Sequence, residues 1–319
     1  MKWVRMTILT TKTIHSKIAI IITAAGSSTR IGGGIKKEYL PYKNGTVLSV
    51  CAETFLNACK DFEITDFIVT CPKGGREQCR AALGDMDCFA ASQLAMTKAD
   101  TFAMTKGLQI VEGSDTRQKS VYNGLLAVKG NPDIVLIHDG ARPFVSEELI
   151  KDAISAAIEY GASVPGVTPT DTQKEIDGDG FICRHLVRSN LTAVQTPQCF
   201  NFSQLLEAHK KAAKDQREYT DDTEIWGVYC GRVKVTKGDV NNIKITYPSD
   251  LEKIDYRVKP DNDKIVDKDK IVDKDKIADN DKIADKDKIA DDDTTVDDNF
   301  ADYDTDFEEV PDDSSGAWL

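Results

Sequence analysis

The residues best placed to do chemistry lie in one stretch, Thr23-Ala-Ala-Gly-Ser-Ser-Thr-Arg-Ile-Gly-Gly-Gly-Ile-Lys-Lys37, directly behind the β-branched run Ile18 to Thr23. Gly26 and the glycines at 32–34 let a backbone turn sharply and bring bare N–H groups against an anion. Arg30, Lys36 and Lys37 add charge that amides alone lack. Two readings fit this composition: a cradle for a nucleotide triphosphate, or a flexible basic surface loop. The stretch is not the dinucleotide fingerprint, since G-x-G-x-x-G is absent, and not a P-loop, since no G-K-[ST] follows.

Further candidate groups fall where other strands should end: Asp115 with Arg117 and Ser120, Asp139 with Arg142, and Lys244. Ligands of an open parallel sheet bind beyond the carboxyl ends of its strands, so these groups and the glycine stretch converge on one rim. Asp139 suits Mg2+, which takes one or two carboxylates plus phosphate oxygens; the alternative is a carboxylate paired structurally with Arg142. His15, His138, His185 and His209 show no metal-ligand spacing, and no Ser/His/Asp set is visible. Zinc and hydrolase chemistry are therefore excluded.

The elements that must hold these groups alternate between continuous apolar runs and amphipathic periods. Buried strands are expected at 17–23, 67–70, 108–112, 134–138 and 162–167. Helices are expected at 46–59, 75–83, 117–128, 147–160, 203–214 and from 221. Ser146 reads as the cap of the helix at 147–160, with acids in its first turn as the helix dipole favours. Later strands are expected at 233–237 and 243–246, then a last helix capped by Ser249 and running to about 257. Residues 84–106 have no clear period. The alternation predicts an α/β fold, Rossmann-like, with a mostly parallel sheet covered by helices on both faces. Between 169 and 189 the helical period vanishes, and Asp177-Gly-Asp-Gly180 signals a hairpin, so a protruding β-arm is expected there.

Charge divides the chain. The 319 residues carry a net −12, yet 22 acidic and 9 basic side chains fall from Val258 onward, leaving the preceding part at +1. That near-neutral part carries no nucleic-acid footprint. The tail repeats DNDKIV, DKDKIV, DKDKIA and related hexads from Asp261, too poor in large apolar groups to offset the entropy of ordering. Disorder is expected at 258–319 and at 1–17, around a body at 18–257. Eight cysteines without a C-x-x-C pair suggest a reduced, cytoplasmic setting. No apolar stretch reaches the ~18 residues that span a bilayer, and no membrane association is expected.

Motif by motif, the body resembles the 2-C-methyl-D-erythritol 4-phosphate cytidylyltransferase family of the non-mevalonate isoprenoid pathway. The residues carrying the likeness are Ala24-Ala-Gly-Ser-Ser-Thr-Arg-Ile31, Lys37-Glu-Tyr-Leu40, Arg117-x-x-Ser-Val121, His138-Asp-Gly-Ala-Arg-Pro143, Asp171-Thr172, Gln195-Thr-Pro-Gln198, Thr220-Asp-Asp222 and Asn242-Ile-Lys-Ile-Thr246. The resemblance implies a fold of the nucleotide-diphospho-sugar transferase type, CTP and Mg2+ as partners, and a homodimer with an exchanged arm. By the same likeness Arg30 and Lys37 are the catalytic cations. Ala24, Ala25, Gly26, Asp115, Ser120, Asp139 and Gly140 surround the nucleotide, and Thr172, Arg188, Thr196 and Lys244 hold the polyol phosphate. Where the family has Pro-Lys-Gln-Tyr-Leu, this chain has Lys36-Lys-Glu-Tyr-Leu40, and register to Tyr39 assigns the catalytic lysine to Lys37. Thr192 replaces the family's tryptophan after Arg188-x-x-Leu191. The alternatives are a ribitol 5-phosphate cytidylyltransferase, or a non-catalytic nucleotide-binding scaffold using the acidic tail.

Overall fold

The computed structural model describes residues 16–26, 28, 36–84, 108–215 and 217–253. Arg30 with most of the glycine loop, nearly all of the aperiodic segment at 84–106, both expected disordered ends and the tail repeats lie outside the described residues. Twelve strands run β1 (Lys17–Thr23), β2 (Pro41–Tyr42), β3 (Gly45–Thr46), β4 (Glu63–Cys71), β5 (Gln109–Glu112), β6 (Ile134–Asp139), β7 (Ala162–Val167), β8 (Lys174–Ile176), β9 (Ile182–His185), β10 (Ala193–Val194), β11 (Gln198–Asn201) and β12 (Lys234–Lys237). Among the described residues six α-helices are interleaved: α1 (Val47–Ala58), α2 (Arg76–Leu83), α3 (Arg117–Ala127), α4 (Glu147–Tyr160), α5 (Phe202–Ala212) and α6 (Asp222–Tyr229).

The main sheet has eight strands in the order β10-β7-β11-β6-β1-β4-β5, with β12 also pairing β7. β1 lies parallel to both β4 and β6, and β4 parallel to β5. The chain thus builds outward from β1 to β5 and then returns to place β6 on the other side of β1. That reversal is a topological switch point, and it opens a crevice between the carboxyl ends of β1 and β6.

Both faces of β1 are buried, which is why its sequence reads as continuous isoleucine rather than an alternation. Ile18, Ile20 and Ile22 join α1, α2 and α4 in one core, centred on Phe55. Ala19 and Ile21 join α3, α5 and Trp226 in the other. The helices start where the sequence supplies caps. Thr46 and Ser49 satisfy each other's backbone N–H groups at the head of α1, Ser146 Oγ accepts from Leu149 N at the head of α4, and Asp221 Oδ1 accepts from Glu224 N at the head of α6. Side-chain oxygens there replace the partners that a helix cannot provide for its first donors.

The expected arm is present as the β8–β9 hairpin, every residue of both strands exposed, with the turn closed by Asp177 Oδ1 accepting from the backbone of Asp179 and Phe181. Two expectations need correction. Residues 243–246 form no strand: Ile245 N donates to Ala141 O at 2.9 Å and Ile243 N turns back to Asn241 O at 2.8 Å, so the segment is pinned rather than laddered. The last helix is a short 3-10 turn at Pro248–Lys253 among the described residues, where Asp250 Oδ2 accepts from Thr246 N and Tyr247 N. The sheet is mostly parallel, as expected, and takes in antiparallel β10 and β11, with β11 inserted between β6 and β7.

A glycine sets the distance of α3 from the sheet. A Cβ on Gly124 would stand 2.9 Å from Ile21 Cγ2 and 3.5 Å from Thr70 Cγ2. Gly124→Val should therefore lower unfolding free energy by about 1–3 kcal/mol through overpacking, measurable as a shifted urea midpoint. An unshifted midpoint would mean that the helix backs away without cost.

Candidate active site

At the switch-point crevice lies a cavity of about 390 Å³. Its walls come from the end of β1 (Thr23, Ala25, Gly26), the turn after it (Lys37, Glu38), the loop into α3 (Ser114 to Arg117), the end of β6 (Asp139) and the late loop (Lys244, Thr246). Close approach of these segments depends on Gly113, where a Cβ would collide with Ala25 Cβ at 2.4 Å and Ser120 Oγ at 2.7 Å. Ser120 Oγ accepts from Ser114 N and donates to Thr116 O, which closes the loop on itself.

Asp139 is the electrostatic centre. Its Oδ2 lies 2.9 Å from Lys244 Nζ and 3.6 Å from Arg142 Nε, while Oδ1 accepts from Arg117 Nε at 3.4 Å. Burial alone would raise its pKa, but the Arg117 guanidinium and then the Lys244 ammonium outweigh it, so the carboxyl stays far below its usual range and fully ionised. Arg117 reaches past it: Nη1 donates to Asp222 Oδ2 at 2.7 Å, and Asp222 is completely buried.

Behind Asp139 sits a neutral relay. His138 Nε2 donates to Arg142 O, so Nδ1 must be the accepting nitrogen, and Thr196 Oγ1 donates to it at 2.9 Å. The same hydroxyl accepts from Asp139 N at 3.1 Å. Burial pushes the His138 imidazole down to about 3, so it stays uncharged at neutral pH, as this relay requires.

The lysines are fixed by carbonyls. Lys37 Nζ donates to Ile245 O at 2.7 Å, tying the catalytic candidate to the late loop. Lys36 Nζ donates to Gly26 O and lies 3.8 Å from Glu38 Oε2. Burial lowers the Lys36 pKa and raises that of Glu38, each partly offset by the other.

Of the site residues expected from sequence, Ala25, Gly26, Lys37, Asp115, Ser120, Asp139 and Lys244 line this one cavity. Ala24 is fully buried behind it, and Gly140 packs against Thr23 O below the floor. Thr196 lies behind Asp139 with its hydroxyl already occupied on both sides. Thr172 and Arg188 sit exposed near the base of the arm, outside the lining, with Arg188 Nη1 donating to Thr170 O. Asp115 lies at the mouth, held at about 2 by hydrogen bonds from Lys119 and Ser114. Arg30 lies outside the described residues. The sequence pattern puts Arg117 at the rim beside Asp115 and Ser120 but gives neither it nor Asp222 a partner. The signal was there in Thr220-Asp-Asp222, because one of two adjacent acids can cap a helix but a second one buried beside it demands a cation.

Among the described residues no group of three His, Cys, Asp or Glu side chains could enclose a metal. The donor set still fits a divalent cation shared with a nucleotide, since Mg2+ keeps few protein ligands and takes the rest from phosphates and water. Asp139 offers one fully ionised hard oxygen for this.

Fold and pocket together are those of an α/β nucleotidyltransferase. The family model for 2-C-methyl-D-erythritol 4-phosphate cytidylyltransferase matches residues 18–259, and the chain belongs to that family. Proteins of that name from Clostridium novyi (strain NT) and Clostridium botulinum (strain Eklund 17B / Type B) are 40% and 38% identical. Those matches span 236 and 234 residues, 74% and 73% of this chain and 94% and 96% of theirs. The crystal structure of 4-diphosphocytidyl-2C-methyl-D-erythritol synthase from Anaerococcus prevotii superposes with a TM-score of 0.59 at 29% identity, over 75% of this chain and 94% of that one. The Thermus thermophilus 2-C-methyl-D-erythritol 4-phosphate cytidylyltransferase gives 0.54 at 29% identity, over 74% and 96%.

The relay behind Asp139 makes Thr196 testable. Thr196→Val leaves the Asp139 N–H and the His138 acceptor unpaired, and should cost about 1–3 kcal/mol of stability; Thr196→Ser should restore it. A valine variant with an unchanged denaturation midpoint but a raised KM for the acceptor phosphate would mean instead that the hydroxyl faces substrate.

Proposed function

We propose that the protein transfers the cytidylyl group of CTP to 2-C-methyl-D-erythritol 4-phosphate, giving 4-diphosphocytidyl-2-C-methyl-D-erythritol and pyrophosphate. The observation that carries this is the cavity at the switch point, where Asp139 is ringed by Arg117, Arg142 and Lys244 and faces Lys37.

The chemistry requires no general base. A phosphate monoester has a second pKa of about 6, so the attacking oxygen is already ionised at neutral pH. It displaces pyrophosphate from the α-phosphorus, forming one P–O bond as another breaks. The protein's task is to hold two polyanions in line and stabilise the charge that develops on the α-phosphoryl oxygens. Lys37, pre-positioned by Ile245 O, and Arg30 of the glycine stretch take that role, and Lys244 faces the incoming phosphate. Asp139 would hold Mg2+, which neutralises charge on the triphosphate when bound. Gly26, Ala25 and Ser120 give a wall low enough for the nucleotide to approach backbone.

Among the described residues seven cysteines are free and five of them buried, which supports a reduced, cytoplasmic setting. The direct test is pyrophosphate release from CTP and Mg2+ with 2-C-methyl-D-erythritol 4-phosphate, against ribitol 5-phosphate in parallel. Preference for the ribitol ester would reassign the substrate, and CTP binding without turnover on either would make the protein a binding module. In the same assay Lys37→Ala and Arg30→Ala should each lower kcat by on the order of 10²-fold, as loss of a transition-state charge donor does. Lys36→Ala should do far less.

A homodimer with exchanged arms completes the proposal. The hairpin leaves Ile176, Phe181, Ile182 and Val187 between 56% and 72% exposed, and a lone two-stranded ribbon is marginal in water. An identical arm is the simplest partner under two-fold symmetry, and would carry Thr172 and Arg188 to the neighbouring cavity. Heterodimers of Arg30→Ala and Arg188→Ala subunits should then show about half of the wild-type dimer's activity, because one of their two sites carries both lesions and the other none. Dimers that form but stay inactive would place Arg188 in its own subunit's site.

A further inference from the structure

Arg117 stands between two carboxylates, Asp139 in the cavity wall and Asp222 at the head of α6. Nothing in that pair alone decides which acid it serves. A guanidinium prefers a two-pronged grip on one carboxylate, and Asp222, fully buried, would offer that grip with less competition from water. Such a grip would turn Nε away from Asp139. The observed grip is one-pronged: Arg117 Nη1 donates to Asp222 Oδ2 at 2.7 Å, Nη2 has no hydrogen-bond partner among the described residues, and His209 Nε2 donates to Asp222 Oδ1 at 3.0 Å, which fixes the plane of the carboxylate.

His209 is itself held from two directions. It sits on the inward face of α5, 1% exposed, and Tyr122 of α3 stacks on its ring with centroids 5.9 Å apart and planes 13° from parallel. Because the carboxylate only accepts, Nε2 carries the proton, and Nδ1 has no hydrogen-bond partner among the described residues. A buried polar ring with one nitrogen unpaired costs stability that a leucine would not. Packing therefore does not explain the histidine; the single bond to Asp222 does.

We propose that His209 is a positioning residue for nucleotide binding: by fixing the orientation of the Asp222 carboxylate it keeps the Arg117 guanidinium turned toward Asp139 and the cavity. The chain His209–Asp222–Arg117–Asp139 then sets the charge at the nucleotide end of the site from the far side of α3. This rests on the cytidylyltransferase reading for its kinetic readout, though not for its structural one.

The test uses full-length protein with His209→Leu, which removes the donor, His209→Gln, whose amide nitrogen can replace Nε2, and His209→Asn, whose amide is too short to do so. The leucine and asparagine variants should raise KM for CTP about tenfold, the lower end of what losing a hydrogen bond to a charged group produces, with KM for the polyol phosphate within about twofold of wild type. Glutamine should restore most of the CTP term. Equal changes in both KM values, or a glutamine variant no better than asparagine, would overturn the proposal; the glutamine and asparagine pair decides it even if the leucine variant does not fold. The Arg117 Nε–Hε resonance gives the structural readout. It should move in the asparagine variant and return in the glutamine variant, and one resonance position in all three proteins would also overturn the proposal. Wild type that releases no pyrophosphate would defeat the functional reading instead, and the resonance would still decide this one.

Discussion

The site depends on one buried negative charge. A carboxylate placed where Asp139 sits, 7% exposed at the end of a core strand, would cost several kcal/mol if left alone. It is tolerated because Arg117, Arg142 and Lys244 converge on it from three separate stretches of chain. Each of those stretches is in turn held by the charge it answers. The result is over-compensation: Asp139 and Asp222 stand against Arg117, Arg142 and Lys244, one positive charge in excess. Glu38 and Asp115 in the wall are matched by Lys36 and Lys119, and Lys37 adds a further charge. A cavity with that surplus suits a polyanion and repels a cation that arrives without one.

The surplus would be useless if the cations could drift to solvent. Arg117 and Lys244 are held by the carboxylates themselves, but Lys37, Lys36 and Arg142 also use backbone carbonyls, which take up donors without cancelling charge. Lys37 is fixed by Ile245 O, Arg142 Nη1 by Asn242 O at 2.7 Å, and Lys36 by Gly26 O. The carbonyls stay in place because Asn242 and Gln195 brace the late loop: Asn242 Nδ2 donates to Thr196 O, and Gln195 Nε2 to Asp239 O. Preorganisation of this kind spares the reorganisation that water would need as charge develops. It also explains why residues 243–246, with their strand-like Ile-x-Ile alternation, form no strand. The Ile245 carbonyl serves Lys37, the Lys244 carbonyl accepts from Thr246 Oγ1, and the one ladder-like bond runs from Ile245 N to Ala141 O.

What was legible in the sequence follows the same logic. The isoleucine run of β1 and the apolar runs of β4 and β6 announced buried parallel strands, because both of their faces meet helices. Asp139 could be placed at the rim because it ends such a strand, and Lys37 because the glycine stretch leads to it from β1, whereas Lys244 reaches the same rim without the late strand that was expected to carry it. β11 was not legible: four residues, Gln198–Asn201, following a proline and carrying polar groups at both ends, have no strand period to show. The tie between Arg117 and Asp222 spans 105 positions: the adjacent acids of Thr220-Asp-Asp222 call for a cation, but nothing near them identifies it as Arg117. Thr196 was readable as a site residue but not as one whose hydroxyl already works between His138 and Asp139, since that depends on β11 lying beside β6.

The two ends of the cavity are built by different physics. At the nucleotide end, buried side chains are locked to one another through Asp139 and Asp222, so geometry there is set when the domain folds. Thr172 and Arg188 are exposed on a hairpin that buries none of its own apolar side chains, so nothing within one chain fixes them to the cavity. Two polyanions meeting in one site repel each other strongly at low effective dielectric. A rigid cationic cradle for the first and a separately supplied cation for the second would let the triphosphate be neutralised before the acceptor phosphate is drawn in. In the proposed dimer, that order follows from where the charges are held: one set in the core of a subunit, the other on the arm of its neighbour.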